Sequence, residues 1–421
     1  MGKKKLGRGV ALVGAGMTKF GAFPGLTTRD LFIDAFQEMR ASVDKGFDPR
    51  EVDAMIIGNY SSTLFEGQNF TAPYTADAVG LTPIPATRVE SACASSGAAL
   101  RQGVMAIASG LADMVIVGGI EKETDLPIAK VTDALATASD SLYENPAGFT
   151  FPGLFALFAT AYMHKYGAPV DTFMKIGIKN HESGALNPKA QFGQRIADMM
   201  AAKRAAAEKK GLPVPKWANE LEFLSDDRAN PVIAWPMRLY DCSPVSDGAA
   251  ALLIVAEDMA HNFTDKPLYI VGTGQGSDVP TYERETLTSL KAAKVAAEEA
   301  YTLAGVKPAD IKVCEVHDCF TSAELIAAED LGFFAPGEGW KAIAEGKTRR
   351  DGSRPINSSG GLKSKGHPVG ATGVGQVNEI WRQMRGEAGP RQVPGTLNFG
   401  MTHNLGGSGM AAVIHIFERR N

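Results

Sequence analysis

Four cysteines and seven histidines are the scarce nucleophiles and bases of this 421-residue chain, and their placement limits the chemistry open to it. Cys93 stands in "SACASSGAAL", just before a run of small residues that reads as a helix to about Ser109. A helix N-terminus offers free N–H groups and partial positive charge, which favour a thiolate and can hold an oxyanion. Cys93 is therefore a candidate nucleophile; the plain alternative is a small buried side chain. His367 has a comparable place in "GGLKSKGHPVGATG", held among Gly366, Pro368 and Gly370 ahead of another predicted helix. Imidazole titrates in the range that suits a base for a thiol. "CEVHDCF" sets Cys314, His317 and Cys319 within seven residues, which opens three readings: a metal site, a disulfide or a fragment of an active site.

Spacing narrows these. On a strand His317 and Cys319 share one face and Cys314 takes the other, which disfavours joint chelation. A zinc site needs further ligands at characteristic spacing, and none stands nearby, so no metal is expected in this chain. So few cysteines, without a secretory pattern, are expected to be reduced thiols. Cys319 then becomes a second thiol able to move a proton, while Cys314 and Cys242 are assigned to packing. "MTHNLGGSG" places His403 and Asn404 ahead of a glycine-rich loop, where backbone can approach a ligand closely.

Elements that could position these groups occur twice. "GVALVGAGMTKFG" reads as a strand, "RDLFIDAFQEMRASVDKG" as a helix ending at Gly46, and "FDPREVDAMIIGN" as a turn with Pro49 leading to a second strand. "LYIVGTGQGSD", "KAAKVAAEEAYTLAG" ending at Gly305, and "VKPADIKVCEVHDCF" with Pro308 repeat that order. Strand, helix and strand need a crossover, which predicts a mainly parallel sheet covered by helices and an α/β fold of two similar halves. The halves are expected at 1–265 and 266–421, with a turn-rich excursion at about 121–246 that covers the site and contains one charged helix, "RIADMMAAKRAAAEKKG". Glycines 14, 16, 21 and 272, 274, 276 lack the spacing of a dinucleotide-binding loop and read as tight turns after buried strands.

A hydrophobic share of 44% is ample for two packed units. A net charge of -4 gives no broad basic field for nucleic acid or an anionic membrane. No apolar run reaches membrane-spanning length. The basic start "MGKKKLGRGVALVGAGM" does not fit a signal peptide, and Leu6 stands where a myristoylation motif on Gly2 wants Ser or Thr. A cytoplasmic location is expected.

With these pieces in order, the chain resembles the thiolase superfamily over nearly its whole length. The resemblance is carried by "SACASSGAAL", "DCSPVSDGAAAL", "HDCF", "GGLKSKGHPVGATG" and "HNLGGSG", in that order, and is greatest toward sterol-carrier-protein thiolases and archaeal-type acetoacetyl-CoA thiolases. In the better-known branch the third motif begins Asn-Glu and the last supplies the second catalytic cysteine. This chain has His317-Asp318 and His403 at those places, and in the branch it resembles the second thiol moves to the position of Cys319. The resemblance implies a five-layered αβαβα thiolase fold with a loop domain inserted in the first half. It implies a CoA-dependent acyltransferase that makes or cleaves a β-ketoacyl-CoA, such as acetoacetyl-CoA, through an acyl group on Cys93. His367 would activate Cys93, Cys319 would act as acid and base, and His317 would serve the enolate oxygen. Cys93 N–H and the loop of His403, Asn404, Leu405 and Gly406 would hold the tetrahedral oxyanion, and Ser243, Phe320, Ser359 and Gly360 would contact coenzyme A. The implied partners are a second copy, as a homodimer or tetramer, and a small zinc-containing OB-fold subunit.

Three rival readings differ in the site. A ketosynthase or hydroxymethylglutaryl-CoA synthase also uses Cys and His, but Cys319 in "HDCF" favours the thiolase reading. A degradative subunit for a bulky or aromatic β-ketoacyl-CoA would share the chemistry and differ in the partner. A non-catalytic acyl-CoA-binding scaffold is disfavoured by retention of Cys93, His317, Cys319 and His367 together.

Overall fold

The computed structural model describes residues 5–420; Gly2, read above for lipidation, lies outside them. The first half runs β1 (Val10–Met17), α1 (Thr28–Ala41), β2 (Ala54–Gly58), α2 (Ser62–Glu66), α3 (Thr71–Ala78), β3 (Ala86–Val89), α4 (Ser95–Ala108) and β4 (Met114–Glu121). The excursion follows, with α5 (Ile128–Ala136), α6 (Phe151–Tyr166), α7 (Asp171–Gly184), α8 (Ile196–Lys209), α9 (Glu220–Ser225), β5 (Val232–Ala234) and β6 (Met237–Arg238), before β7 (Gly248–Ala256) closes the half. The second half runs β8 (Leu268–Ser277), α10 (Lys291–Ala304), β9 (Val313–Glu315), α11 (Thr321–Asp330), α12 (Gly339–Ala344), α13 (Gly361–Lys365), α14 (Thr372–Arg385), β10 (Phe399–Gly406) and β11 (Ala411–Arg419).

The sheet order is β3-β2-β4-β7-β1-β8-β11-β10-β9, so the repeat appears in space as two arrays that meet where Ala11 and Leu12 of β1 pair with Tyr269 and Leu268 of β8. The expected mainly parallel sheet is instead mixed. The crossover strands do run parallel, as β2 does to both β3 and β4 and β9 does to β10, but the last strand of each half inserts antiparallel between them. β7 lies between β1 and β4, and β11 between β8 and β10. An isolated parallel bridge from Cys314 to Ile356 marks where the second half would carry its counterpart of β3.

α1 packs on β1 and β7 and α10 on β8 and β11, forming outer layers, while α4 and α14 touch each other and strands of both arrays. This gives helix, sheet, helix, sheet, helix. Of the glycines read as turns, 14, 16, 272, 274 and 276 lie inside strands, and Gly21 alone follows its strand. A Cβ on Gly16 would stand 2.1 Å from Met39 N, and one on Gly274 would stand 2.0 Å from Ala296 O. Their bare backbone lets α1 and α10 lie against the sheet, an approach for which strand periodicity gives no cue.

Gly305 (φ +70) caps α10 as expected, but α1 stops before Gly46. Ser42 ends it, because its Oγ donates to Met39 O and accepts the Ala15 N–H, tying the last turn to β1. The excursion is more helical than its composition suggested. α6 is apolar around much of its circumference, so amphipathic periodicity is weak; it buries Phe155, Phe158 and Tyr162 in the core of the second half. The charged helix read in "RIADMMAAKRAAAEKKG" is α8.

Candidate active site

Cys93 sits in the turn between β3 and α4. The preceding residue, Ala92, is left-handed at φ +48, a strained conformation for a residue with a side chain. Ser95 braces the turn, since its Oγ accepts the Ser91 N–H at 2.9 Å and donates to Ala92 O at 2.6 Å. The turn thrusts Cys93 out of the helix start and into a cavity of about 310 Å³. The expected thiolate is not favoured there. Burial, and then the nearby Glu123 carboxyl, push the thiol up to about 12, although N–H groups of Gly407 and of Cys93 itself act on the sulfur in the other direction.

His367 reaches the same cavity from the second half, at a turn made possible by Gly366 (φ +115). Its N–H donates to Ser246 Oγ at 2.8 Å, and its Nδ1 lies 2.6 Å from Thr372 Oγ1. Thr372 Oγ1 gives its hydrogen to Pro368 O at 3.1 Å, so it accepts from Nδ1–H and leaves His367 Nε2 with a free lone pair. Burial pushes His367 down to about 3, which keeps it a neutral base.

His317 is held in the opposite tautomer. Asn404 Nδ2 donates to Cys93 O at 3.0 Å and lies 3.1 Å from His317 Nδ1. An amide nitrogen can only donate, and turning the amide over would set its oxygen against Cys93 O, so His317 Nδ1 accepts and Nε2 carries the hydrogen. His403 supports the loop by accepting the His317 N–H at 3.4 Å. Burial, and then His367 and His403, hold His317 neutral.

The two imidazoles cross at 86° with centroids 4.9 Å apart, and ligand-capable atoms of Cys93, His317 and His367 lie within 4.8 Å of one another. Such a group could be taken for a metal centre. The tautomers offer a cation one imidazole lone pair and one sulfur, while His317 presents an N–H; the set fits hydrogen-bond catalysis better than chelation.

Cys319 lines the cavity with Cys93 and His367, and His317 lies beside the latter two, so the structure brings the four predicted catalytic side chains together. β9 ends at Glu315, so it is the loop beyond it that turns Cys319 inward. Asp318 pins that loop, accepting the Leu362 N–H at 2.6 Å and Asn180 Nδ2 at 2.7 Å. Burial, and then Cys93, raise the Cys319 thiol. Cys314 is buried in the core, as expected, and Cys242 packs against that core while also lining the cavity.

Ser243 and Phe320 also line the cavity, with Phe320 stacked on Phe155 at 4.7 Å. Ser359 and Gly360 do not reach it. Ser359 is buried against the Glu315 carboxylate, and Gly360 (φ +100) is packed on Gly184, which leaves neither free to meet a ligand. Leu405 and Gly406 are strand residues paired with Ala412 and Ala411; the N–H that reaches Cys93 belongs to Gly407. Glu123 and Thr372 were missed. Thr372 was legible in principle, lying five residues beyond the proposed base at the helix entry, whereas "GGIEKETD" gives no sign that its second acid faces a cavity.

The chain matches the thiolase N-terminal domain family over residues 10–258 and the thiolase C-terminal domain-like family over residues 274–419. It is 43% identical to an acetyl-CoA acetyltransferase of Methanothermobacter thermautotrophicus across 98% of this chain and 100% of that protein. It is 34% identical to sterol carrier protein 2 of Bos taurus across 97% of this chain and 72% of that protein. Among solved structures, human mitochondrial 3-ketoacyl-CoA thiolase in complex with CoA aligns with a TM-score of 0.65 at 20% identity, covering 99% of both chains. The Ltp2-ChsH2(DUF35) aldolase aligns with a TM-score of 0.76 at 24% identity, covering 98% of both.

Proposed function

The chain belongs to the thiolase family and is an acyltransferase, and from that premise we propose that it makes or cleaves a β-ketoacyl-CoA, acetoacetyl-CoA foremost, through an acyl group carried on Cys93. The observation that carries this reading is the pair of thiols, Cys93 and Cys319, lining one cavity, with two neutral imidazoles of opposite tautomer beside Cys93.

In the resting site Cys93 is a thiol and His367 a neutral base. An ion pair between them is costly in so dry a place until charge can be passed on. When a thioester carbonyl lies against Cys93, His367 Nε2 takes the thiol proton as sulfur attacks, and the N–H groups of Cys93 and Gly407 receive the developing oxyanion. The C–S bond to coenzyme A breaks, its thiolate leaves with the proton from His367, and the acyl group stays on Cys93. In condensation His367 Nε2, free again, takes the Cys319 thiol proton as Cys319 removes an α-proton from a second acyl-CoA, and His317 Nε2–H stabilises the enolate oxygen. The enolate carbon attacks the Cys93 thioester, the new carbon–carbon bond forms, and the Cys93 sulfur leaves and takes the proton back from His367. Thiolysis is the reverse, with Cys319 protonating the enolate. Ser243 and Phe320 flank the thioester arm, and the apolar Leu135, Phe151, Phe155 and Val369 face the acyl chain.

A thiolysis series of β-ketoacyl-CoAs of graded size tests this. CoA-dependent cleavage of acetoacetyl-CoA is expected, with activity falling once the chain outgrows the cavity; no cleavage of any member of the series would overturn it. A second reading adds a small zinc-containing OB-fold partner at the mouth of the cavity. It is favoured by the β5–β6 hairpin, where Ile233 reaches the cavity wall while Ile233 and Trp235 remain 48% and 59% exposed. Association as a homodimer or tetramer belongs to the same proposal, as do the division into halves at 1–265 and 266–421 and a cytoplasmic location. Among the described residues no helix is long and apolar enough to cross a membrane.

A further inference from the structure

Two carboxyl side chains at the end of β4, Glu121 and Glu123, take no part in the acyl transfer set out above, yet both reach from the first half to the turn that carries His367. Glu121 Oε2 accepts the Gly370 N–H at 3.0 Å, and Glu123 Oε1 accepts the Val369 N–H at 2.8 Å. Glu123 Oε2 accepts the Ser246 N–H at 3.4 Å, and Ser246 Oγ is the acceptor for the N–H of His367. Glu123 thus bonds both to the backbone just after the base and to the residue that holds the base. It is 1% exposed, and its remaining face is on the cavity wall with Cys93, where no Lys or Arg among the described residues lines the space to balance it.

We propose that Glu123 is a positioning residue of this site, which clamps the His367 turn and sets, through the charge it gains or sheds on the cavity wall, how readily Cys93 loses its proton. This rests on Cys93 being the nucleophile. The groups facing Cys93 are Glu121 and Glu123 from the β4 side, Tyr60 from the turn after β2, His317 and Cys319 from the loop after β9, and His367. Those facing Glu123 are Cys93, Glu121 and Asp247, the last already paired with Lys122 at 2.9 Å. Burial and the neighbouring Glu121 raise the proton affinity of Glu123. As pH rises through its titration Glu123 turns negative and opposes the Cys93 thiolate, so the two ionisations are coupled.

The experiment is the rate of iodoacetamide alkylation of Cys93 against pH, read on the Cys93 peptide by mass spectrometry, for the unmodified enzyme and for Glu123→Gln. The unmodified enzyme is expected to show a rise broader than a one-proton curve. Glu123→Gln should show a sharper rise with its midpoint lower by about one pH unit, hence about tenfold faster alkylation below the midpoint. Its kcat for thiolysis should fall about tenfold as the clamp loosens. A merely structural Glu123 would lower kcat without moving the midpoint. A midpoint unchanged in Glu123→Gln overturns the proposal. Should that variant fail to fold, a one-proton rise in the unmodified enzyme overturns it equally, and the apolar Glu123→Met supplies the same comparison. Alkylation that never reaches Cys93 would defeat this inference together with the acyl-transfer reading, whereas normal alkylation with an unmoved midpoint defeats this inference alone.

Discussion

Asn404 and Thr372 do opposite things to two neighbouring imidazoles, and the account of the chemistry turns on that difference. Replacing Asn404 by Asp exchanges a donor for an acceptor, so His317 must move its hydrogen to Nδ1 and present a lone pair where the enolate oxygen needs an N–H. Asn404→Asp is expected to lower kcat/KM for thiolysis by about 10³-fold, judged by what loss of one oxyanion donor costs, whereas a change under about tenfold would show that the tautomer does not matter. The acid side of the pH profile follows from His367. Because burial pushes it down to about 3, it remains an unprotonated base throughout the mildly acidic range. kcat/KM should therefore stay level from about pH 7.5 to about pH 5.5; a one-proton fall near pH 6.5, the ordinary imidazole value, would contradict this placement. At this scale the sequence pointed to Cys93, His367, His317 and Cys319 through residue type and through resemblance. It could not show that Cys93 is opposed by buried carboxyls, because Glu123 lies thirty residues away and meets it only after β4 crosses the sheet. The roles proposed for Ser359 and Gly360 failed for a related reason. They adjoin the His367 motif in sequence, but their turn faces the buried Glu315.

Strands and helices of the two halves were legible where periodicity or caps were strong, as at α1, α4, α8 and α10. The glycines of β1 and β8 were misread, since a glycine needed for close helix contact and one needed for a turn look alike in a sequence. Gly274→Ala separates them. A methyl group there would meet the Ala296 carbonyl in mid-helix, with no side chain to swing away, so a loss of about 3 kcal/mol in urea unfolding is expected. A change within about 0.5 kcal/mol would mean that α10 does not bear on that strand as described. Within the excursion α6 escaped the sequence, because it is buried on several sides and so lacks the two-faced pattern by which helices are recognised.

Across the whole molecule, the halves were visible as a repeat, but their interdependence was not. α4 and α14 form one layer shared by both arrays, Asn404 of the second half holds Cys93 O of the first, and Glu121 and Glu123 of the first hold the His367 turn of the second. Removing either half strips the other of its inner helix contacts and of half its site. Calorimetry should accordingly show one unfolding transition for the chain, and two resolved transitions would show that the halves are separate units. All of this serves a single event, transfer of an acyl group to Cys93. Intact-protein mass spectrometry after incubation with acetyl-CoA tests it most directly: one acetyl group should be found on Cys93, lost in Cys93→Ser and retained in Cys319→Ala. An adduct that survives Cys93→Ser, or that resides on Cys319, would contradict the account.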